Sequence, residues 1–236
     1  MQRTLLITGA SSGIGLAICA KMLTLGHRVL GVSRRRPKLE CAPAQFQWIQ
    51  LDLTDTQSIS SACKTIISQH PDVSAFISAA GKGEFTSLEE FSHEQIQQYL
   101  QLNLLSHLYL TRALLPHFKQ LGHADIIFIG SDAALKGSKK GSLYCACKFA
   151  LRGFAQSLRA ECAGRGVRVA SIQPGMTDTA FYADLNFKPG DQPTQHLLPE
   201  DIAEAVALVI QARPGTVYDE IQLSPLSKFI QFKKNV

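Results

Sequence analysis

Three side chains in the middle of the sequence have the types and spacing of a proton-transfer site. Tyr144 and Lys148 are four residues apart and share one face if this segment is helical. An ammonium group beside a phenol favours the phenolate, so we expect Lys148 to lower the pKa of Tyr144 from about 10. Ser131 ends a predicted strand, where its hydroxyl could orient a carbonyl oxygen. Such a tyrosine exchanges protons near neutral pH, although the YxxxK pattern alone is more often an ordinary helix pair.

A glycine-rich turn directly follows the first predicted strand and opens a helix. It reads Thr8-Gly9-Ala10-Ser11-Ser12-Gly13-Ile14-Gly15. The glycines allow a tight turn and bring helix N–H groups against a pyrophosphate, which the positive end of the helix dipole also attracts. An ordinary strand–helix turn is the alternative, but the position within a βαβ unit favours a dinucleotide site.

The ends of the next two predicted strands bear on which dinucleotide binds. Ser33 stands where NAD-binding units have an acidic residue that binds the adenosine ribose, and Arg34-Arg35-Arg36 follow it. A guanidinium binds a phosphate through paired hydrogen bonds, so the 2′-phosphate of NADP suits this strand end. A solvated basic loop is the alternative reading. Asp52, after the third strand, either caps the next helix or contacts the adenine amino group.

The elements that must position these residues follow from the alternation of short apolar segments with helical ones. We predict strands at residues 4–8, 28–33, 46–51, 73–78, 125–130, 167–172 and 220–223. Thr54 with Gln57, and Ser92 with Gln95, have capping-box spacing at two helix starts. One α/β domain over residues 1–236 is expected, with a doubly wound, Rossmann-type parallel sheet of about seven strands and helices on both faces. Residues 176–198 lack periodicity and follow a strand, so they are predicted to form a substrate lid.

Composition excludes several classes of protein. The 236 residues are 45% hydrophobic and 18% charged, which excludes a disordered or collagen-like chain. Six cysteines without CxxC spacing and seven histidines without HxxxH spacing predict no metal site and no disulfide framework. The net charge of +5 comes without a long basic tract, so no nucleic-acid partner is expected. No signal peptide or membrane-spanning run is recognised, and we expect a cytoplasmic protein without a membrane partner.

In combination, the motifs resemble the classical short-chain dehydrogenase/reductase family over almost the whole chain. The order is Thr8-Gly9-x-x-x-Gly13-x-Gly15, Asp52, Asn103, Ser131, Tyr144-x-x-x-Lys148 and Pro174-Gly175. The resemblance implies that Tyr144 is the general acid/base and that Ser131 positions the substrate oxygen. It implies that Lys148 lowers the tyrosine pKa and binds the nicotinamide ribose. Asn103 would kink its helix around a water that relays protons.

The same resemblance implies a set of cofactor contacts. Besides Tyr144 and Lys148, the predicted contacts are Gly9, Ser11, Ser12, Gly13, Ile14, Gly15, Ser33, Arg34, Asp52, Leu53, Ala79, Ala80, Gly81, Pro174, Gly175 and Thr177. One segment departs from the family, which usually has Asn-Asn-Ala-Gly after the fourth strand. This chain reads Ser78-Ala79-Ala80-Gly81, so the asparagine hydrogen bonds that steady the central sheet are lost while the glycine remains.

These observations predict an NADP(H)-dependent oxidoreductase that interconverts a carbonyl and a secondary alcohol, with a small-molecule substrate. A catalytically weak module that senses NADP(H) redox state is the alternative, but it has no need of Asn103, Ser131, Tyr144 and Lys148 together. Apolar residues on more than one face of the segments around 92–119 and 142–165 predict a homodimer. A homotetramer would need residues 220–236 to pair with a second neighbour. We also expect the basic, aromatic tail at 228–234 to pack on a neighbouring subunit.

Overall fold

Residues 2–39, 42 and 44–233 are described by the computed structural model. Cys41 and positions 234–236 of the predicted tail lie outside these residues. Seven strands form one parallel sheet in the order β3-β2-β1-β4-β5-β6-β8, which confirms the predicted fold class. Their bounds are β1 Thr4–Thr8, β2 Arg28–Ser33, β3 Phe46–Gln50, β4 Val73–Ser78, β5 Ala124–Ile129, β6 Val167–Pro174 and β8 Glu220–Leu223. Two short strands, β7 Phe187–Pro189 and β9 Ile230–Phe232, pair outside this sheet.

The described residues form six α-helices, five of which cover the two faces of the sheet. They are α1 Gly13–Thr24, α2 Thr56–Gln69, α3 His93–Leu100, α4 Ser106–Leu121, α5 Ser142–Cys162 and α6 Pro199–Gln211. One apolar core joins α2, α4 and α5 to the sheet, and a second joins α1 and α6 to the opposite face. Every residue of β1, β4 and β5 is buried, which explains why these strands are mostly apolar.

The strand order reverses between β1 and β4, which creates a crevice at their carboxyl ends. β1 pairs with β2 on one side and with β4 on the other. In open α/β sheets ligands bind at such a switch point, because the adjacent connections leave on opposite faces. The residues predicted to bind the cofactor follow these strand ends.

Local capping confirms one sequence prediction and corrects another. Ser92 and Gln95 form the predicted capping box at the start of α3. At α2 the predicted pair of Thr54 and Gln57 is wrong, because the Asp55 side chain accepts from the backbone N–H groups of Gln57 and Ser58. Asp52 does not cap α2 either. Its carboxylate accepts from the Thr54 backbone N–H at 2.9 Å and from the Thr54 hydroxyl at 2.8 Å.

The tail folds back onto its own chain. β9 pairs antiparallel with β7, within the segment predicted to be the lid. The Lys233 ammonium donates to the carbonyls of Tyr182 and Ala183, both at 2.7 Å. This segment therefore pairs with the predicted lid of its own chain, while Ile230 and Phe232 keep 52% and 70% of their surface exposed. Its packing on a neighbouring subunit stays a prediction.

Candidate active site

A single large cleft, of about 1460 Å³, runs along the carboxyl ends of the strands. At one end lie the glycine turn and the β2 end, and at the other lie Ser131, Tyr144 and residues of the predicted lid. Of the predicted site residues, all but Asn103 and Lys148 line the cleft. Those two are buried behind its wall, with 1% and 6% exposure.

The glycine turn presents the start of α1 to the cleft. Gly9 has a φ of +71°, a conformation that side-chain-bearing residues rarely adopt. A Cβ on Gly15 would lie 2.3 Å from the Gly9 carbonyl oxygen, so only glycine lets the helix start this close to the turn. Ser12 is the N-cap and makes no side-chain hydrogen bond to the helix. The first N–H groups of α1 are thus oriented for an anion.

A hydrogen-bonded corner fixes the end of β2. The Ser33 hydroxyl donates to the Arg35 carbonyl at 2.7 Å and accepts from Trp48 Nε1 at 3.2 Å. Arg34 is exposed at the cleft, and its positive charge helps to lower the pKa of Asp52, although the backbone hydrogen bond from Thr54 is the larger cause. The Ser33 hydroxyl is therefore already hydrogen-bonded within the protein, and the exposed Arg34 contributes a positive charge to this end of the cleft.

Thr8 connects the glycine turn to the end of β4. Its hydroxyl accepts from the backbone N–H groups of Ala79 and Ala80, at 3.1 and 3.2 Å. Where the family's asparagines are missing, a buried hydrogen bond of 2.6 Å joins Ser78 Oγ to His107 Nδ1 on α4. Burial lowers the pKa of His107 to about 3, so the imidazole is neutral. The Ser78–His107 hydrogen bond links the sheet to α4 in place of the asparagine hydrogen bonds that are usual in the family. No sequence motif indicated this pair.

Asn103 lies in a π-helical turn, Gln101–Leu105, between α3 and α4. Its side-chain oxygen accepts from the Lys82 backbone N–H at 2.9 Å, and its amide donates to the Tyr99 carbonyl at 3.2 Å. Tyr99, in turn, donates its hydroxyl to the Lys82 carbonyl at 3.0 Å. The predicted irregularity of this helix is present, and it holds the loop after β4 at the cleft.

Ser131 and Tyr144 face the cleft together. A hydrogen bond from the Ser131 hydroxyl acts on the Tyr144 phenol and lowers its pKa, but burial is the larger effect and raises that pKa to about 12. Lys148 donates to the Ile129 carbonyl at 3.1 Å, and burial lowers the pKa of its ammonium to about 8. The Lys148 ammonium lies 5.7 Å from the centroid of the Tyr144 ring. The expectation that it lowers the tyrosine pKa stays a prediction, since burial is the largest effect on that pKa in the protein alone. Tyr144 is therefore a protonated donor at neutral pH.

Gln173 is a buried residue of the site that the sequence reasoning missed. Its side-chain oxygen accepts from the Ser131 backbone N–H at 2.8 Å, and its amide donates to the Ser171 hydroxyl at 2.6 Å. A Cβ at Gly130 would lie only 1.9 Å from this oxygen, so Gly130 makes room for the contact. Just after the end of β6, the Thr177 hydroxyl donates to the Gly175 carbonyl at 3.1 Å.

The described residues contain no group of three or more metal-ligating side chains. In the part of the chain that is described, no helix is long and apolar enough to cross a membrane.

Comparison with known proteins gives consistent results. The sequence model described as short chain dehydrogenase matches residues 3–189. The sepiapterin reductase of Chlorobaculum tepidum is 29% identical, over 98% of this chain and 99% of its own length. Two solved structures share 26% identity: an alcohol dehydrogenase from Thermococcus sibiricus complexed with 5-hydroxy-NADP (TM-score 0.82, 94% of this chain and 96% of that one) and a metagenomic short-chain oxidoreductase in complex with NADP (TM-score 0.81, 96% and 98%).

Proposed function

Since the chain belongs to the short-chain dehydrogenase family of oxidoreductases, we propose that it interconverts a carbonyl compound and a secondary alcohol with NADP(H). The observation that carries this proposal is that Ser131 and the protonated Tyr144 line one end of the cleft together, with a dinucleotide-type glycine turn at the other. The glycine turn, Arg34 and the 174–177 segment provide the groups that a dinucleotide phosphate would contact in the same cleft.

The chain's own residues supply the proton chemistry. NADPH, held by the glycine turn and Arg34, would supply the hydride for the carbonyl carbon. The Ser131 hydroxyl donates to the carbonyl oxygen and orients it, and the Tyr144 O–H gives its proton to that oxygen, which yields the alcohol and leaves the phenolate. Lys148, with its charge buried behind the wall, stabilises that phenolate. Asn103 holds the loop after β4 beside the reacting groups.

The test of this reaction is a panel of aldehydes and ketones, including sepiapterin, followed by loss of NADPH absorbance. Tyr144→Phe removes the proton donor but keeps the ring, so turnover should fall by 10²–10⁴-fold or more while NADPH binding persists. The matched control is Tyr109→Phe, since Tyr109 lies 40% exposed on α4 and outside the cleft. Equal losses in both variants, or near-normal turnover in Tyr144→Phe, would overturn the assignment.

The cofactor preference rests on Arg34. Its charge lies at the β2 end with no acidic residue in place of Ser33, which supports NADP(H) over NAD(H). A charge-assisted contact to the 2′-phosphate contributes about 1.5–3 kcal/mol, so Arg34→Asp should weaken NADPH binding by roughly ten- to a hundredfold and leave NADH binding nearly unchanged. Arg36→Asp is the control, because this substitution makes the same charge change at a residue that does not line the cleft. Calorimetric titration with both cofactors decides the question. Equal affinity of the wild type for NADPH and NADH contradicts the preference.

A further inference from the structure

Five aromatic side chains form a closed ring of contacts around the site. Tyr144 contacts Phe85 at 5.1 Å and Phe181 at 5.9 Å between ring centroids. Phe85 contacts Phe187 at 5.1 Å, Phe187 contacts Tyr182 at 5.8 Å, and Tyr182 contacts Phe181 at 5.1 Å. We call these five residues the aromatic cluster. All of them line the cleft.

The aromatic cluster brings together three separate parts of the chain. Phe85 comes from the loop after β4, Tyr144 from α5, and the other three from the segment between β6 and α6. Phe181 also packs over the backbone of Gly83, where an added Cβ would lie 2.2 Å from its ring. The rings therefore form the wall on both sides of the Tyr144 phenol.

The aromatic cluster is not fully buried by its own packing. Its four rings other than Tyr144 are only partly buried, and each keeps surface toward the cleft. Phe85 and Phe181 pack with Tyr144 on a small third core, whereas in the two main cores the contacts to the sheet are mostly made by aliphatic side chains. Aromatic faces stack on flat rings and gain more than surface burial from that contact, which aliphatic walls do not provide.

On this basis, and resting on the proposed function, we infer that the carbonyl substrate carries an aromatic ring that stacks on the aromatic cluster. The reacting oxygen must lie at Ser131 and Tyr144. A ring one or two bonds from the carbonyl carbon then lies within reach of Phe85 on one side and of Phe181 on the other. An aliphatic substrate of the same size fills the same space without the stacking contribution.

The test compares phenylacetone with cyclohexylacetone. Both are ketones with the same carbon skeleton, and in both a methylene group separates the ring from the carbonyl, so intrinsic reactivity is alike. Each good ring contact should increase kcat/KM severalfold to about tenfold. We therefore expect kcat/KM for phenylacetone to be at least about tenfold higher than kcat/KM for cyclohexylacetone. The dissociation constants of the two corresponding alcohols, measured by calorimetry with the cofactor-loaded protein, should differ in the same direction.

Two variants test whether the preference for a phenyl over a cyclohexyl ring arises from the aromatic cluster. Phe187→Leu keeps an apolar side chain but removes one ring, so it should reduce the phenyl-to-cyclohexyl ratio severalfold. Phe149→Leu is the matched control; Phe149 is 45% exposed on α5 and does not line the cleft. A ratio near one in the wild type, a ratio unaffected by Phe187→Leu, or turnover of aliphatic carbonyls only, would overturn this inference alone. Loss of turnover with every carbonyl compound would instead overturn the proposed function.

Discussion

Burial changes the pKa values of the Tyr144 phenol and the Lys148 ammonium in opposite directions. Burial disfavours the charged form of each group, so it raises the pKa of the phenol and lowers the pKa of the ammonium. The phenol therefore keeps its proton across the physiological range, while Lys148 titrates at about pH 8. In the proposed reduction, we expect proton donation by Tyr144 to depend on the charge state of Lys148.

This titration predicts an alkaline loss of reductase activity. Lys148 is charged below its pKa of about 8 and neutral above it, so kcat/KM for reduction should be level below pH 7 and fall about tenfold per unit well above pH 8. Lys148→Arg keeps the charge at all these pH values and should remove the fall if turnover survives. A pH–rate profile measures both. A wild-type profile that stays level to pH 10 would contradict the role of this lysine.

At the same scale, sequence spacing predicted which groups meet but not their electrostatics. The four-residue spacing of Tyr144 and Lys148 placed both on one helix, and the helix is present. The spacing carried no information on burial, which decides the direction of the pKa change of both groups. Gln173 gave no signal either, because a lone glutamine in an apolar strand has no partner that the sequence identifies. Its contact with Ser131 exists only once β5 and β6 lie side by side.

Among the elements, the long and continuously apolar ones were predictable. The seven sheet strands lie within two residues of their predicted bounds, since strands buried on both faces leave an unbroken apolar run. The strands β7 and β9, of three residues each, were not predicted because they have too few residues for any periodicity and pair across about forty positions of chain. The correct cap of α2 was missed by one residue, because Thr54 and Asp55 are both good caps and only the backbone decides between them.

The sheet elements also meet at a buried ion cluster on the side opposite the cleft. Asp125, at the start of β5, is 1% exposed and accepts from Arg168 on β6 at 2.6 Å and from Arg3, which precedes β1, at 2.5 Å. Removing the charge from a buried, doubly paired carboxylate leaves two guanidinium groups without compensation.

We therefore predict that Asp125→Asn lowers the free energy of unfolding by about 3–5 kcal/mol. The matched control is Asp219→Asn, whose carboxylate is 70% exposed beside Arg159 and should contribute no more than about 1 kcal/mol. Urea unfolding of both variants gives the comparison. Similar losses for the two would mean that the Asp125 cluster does not tie the strands together. The folded fraction of Asp125→Asn should keep normal turnover, since the cluster lies far from the cleft.

For the whole molecule, three buried histidines couple stability to pH. Burial lowers the pKa of His107 to about 3 and lowers the pKa of His27 and His70. The unfolded chain binds a proton at each of these sites below about pH 6.5, whereas the folded protein binds it only at lower pH. The stability that these sites contribute is therefore full above pH 6.5 and decreases as the pH falls below it, for His107 down to about pH 3.

For His107 alone, the predicted slope is up to about 1.4 kcal/mol per pH unit in that interval. His107→Gln keeps a partner for Ser78 but has no group that titrates, so its unfolding free energy should fall less steeply between pH 6.5 and 4. Denaturant unfolding at several pH values measures the two slopes. Parallel slopes for the wild type and the variant would contradict the assignment to His107.

Association of chains is the remaining whole-molecule prediction. Half of the six apolar residues that predicted a second face on α5 are buried within the chain, namely Leu143, Leu151 and Leu158, but Phe149 remains 45% exposed and Tyr109 on α4 is 40% exposed. A pair of such helices from two copies would cover these rings, and we still expect a closed dimer. Light scattering after size exclusion should give at least twice 25.8 kDa. A mass of one chain would refute it.

Trp48 is the only tryptophan in the sequence, and its indole N–H is tied to Ser33 beside Arg34. Its emission therefore comes from one place, beside Ser33 at the end of β2. A change in that emission on adding 2′-phospho-AMP, but not on adding AMP, would report phosphate recognition without any nicotinamide or turnover. The molecule thus carries an intrinsic fluorescent probe of the one contact that separates its two possible cofactors.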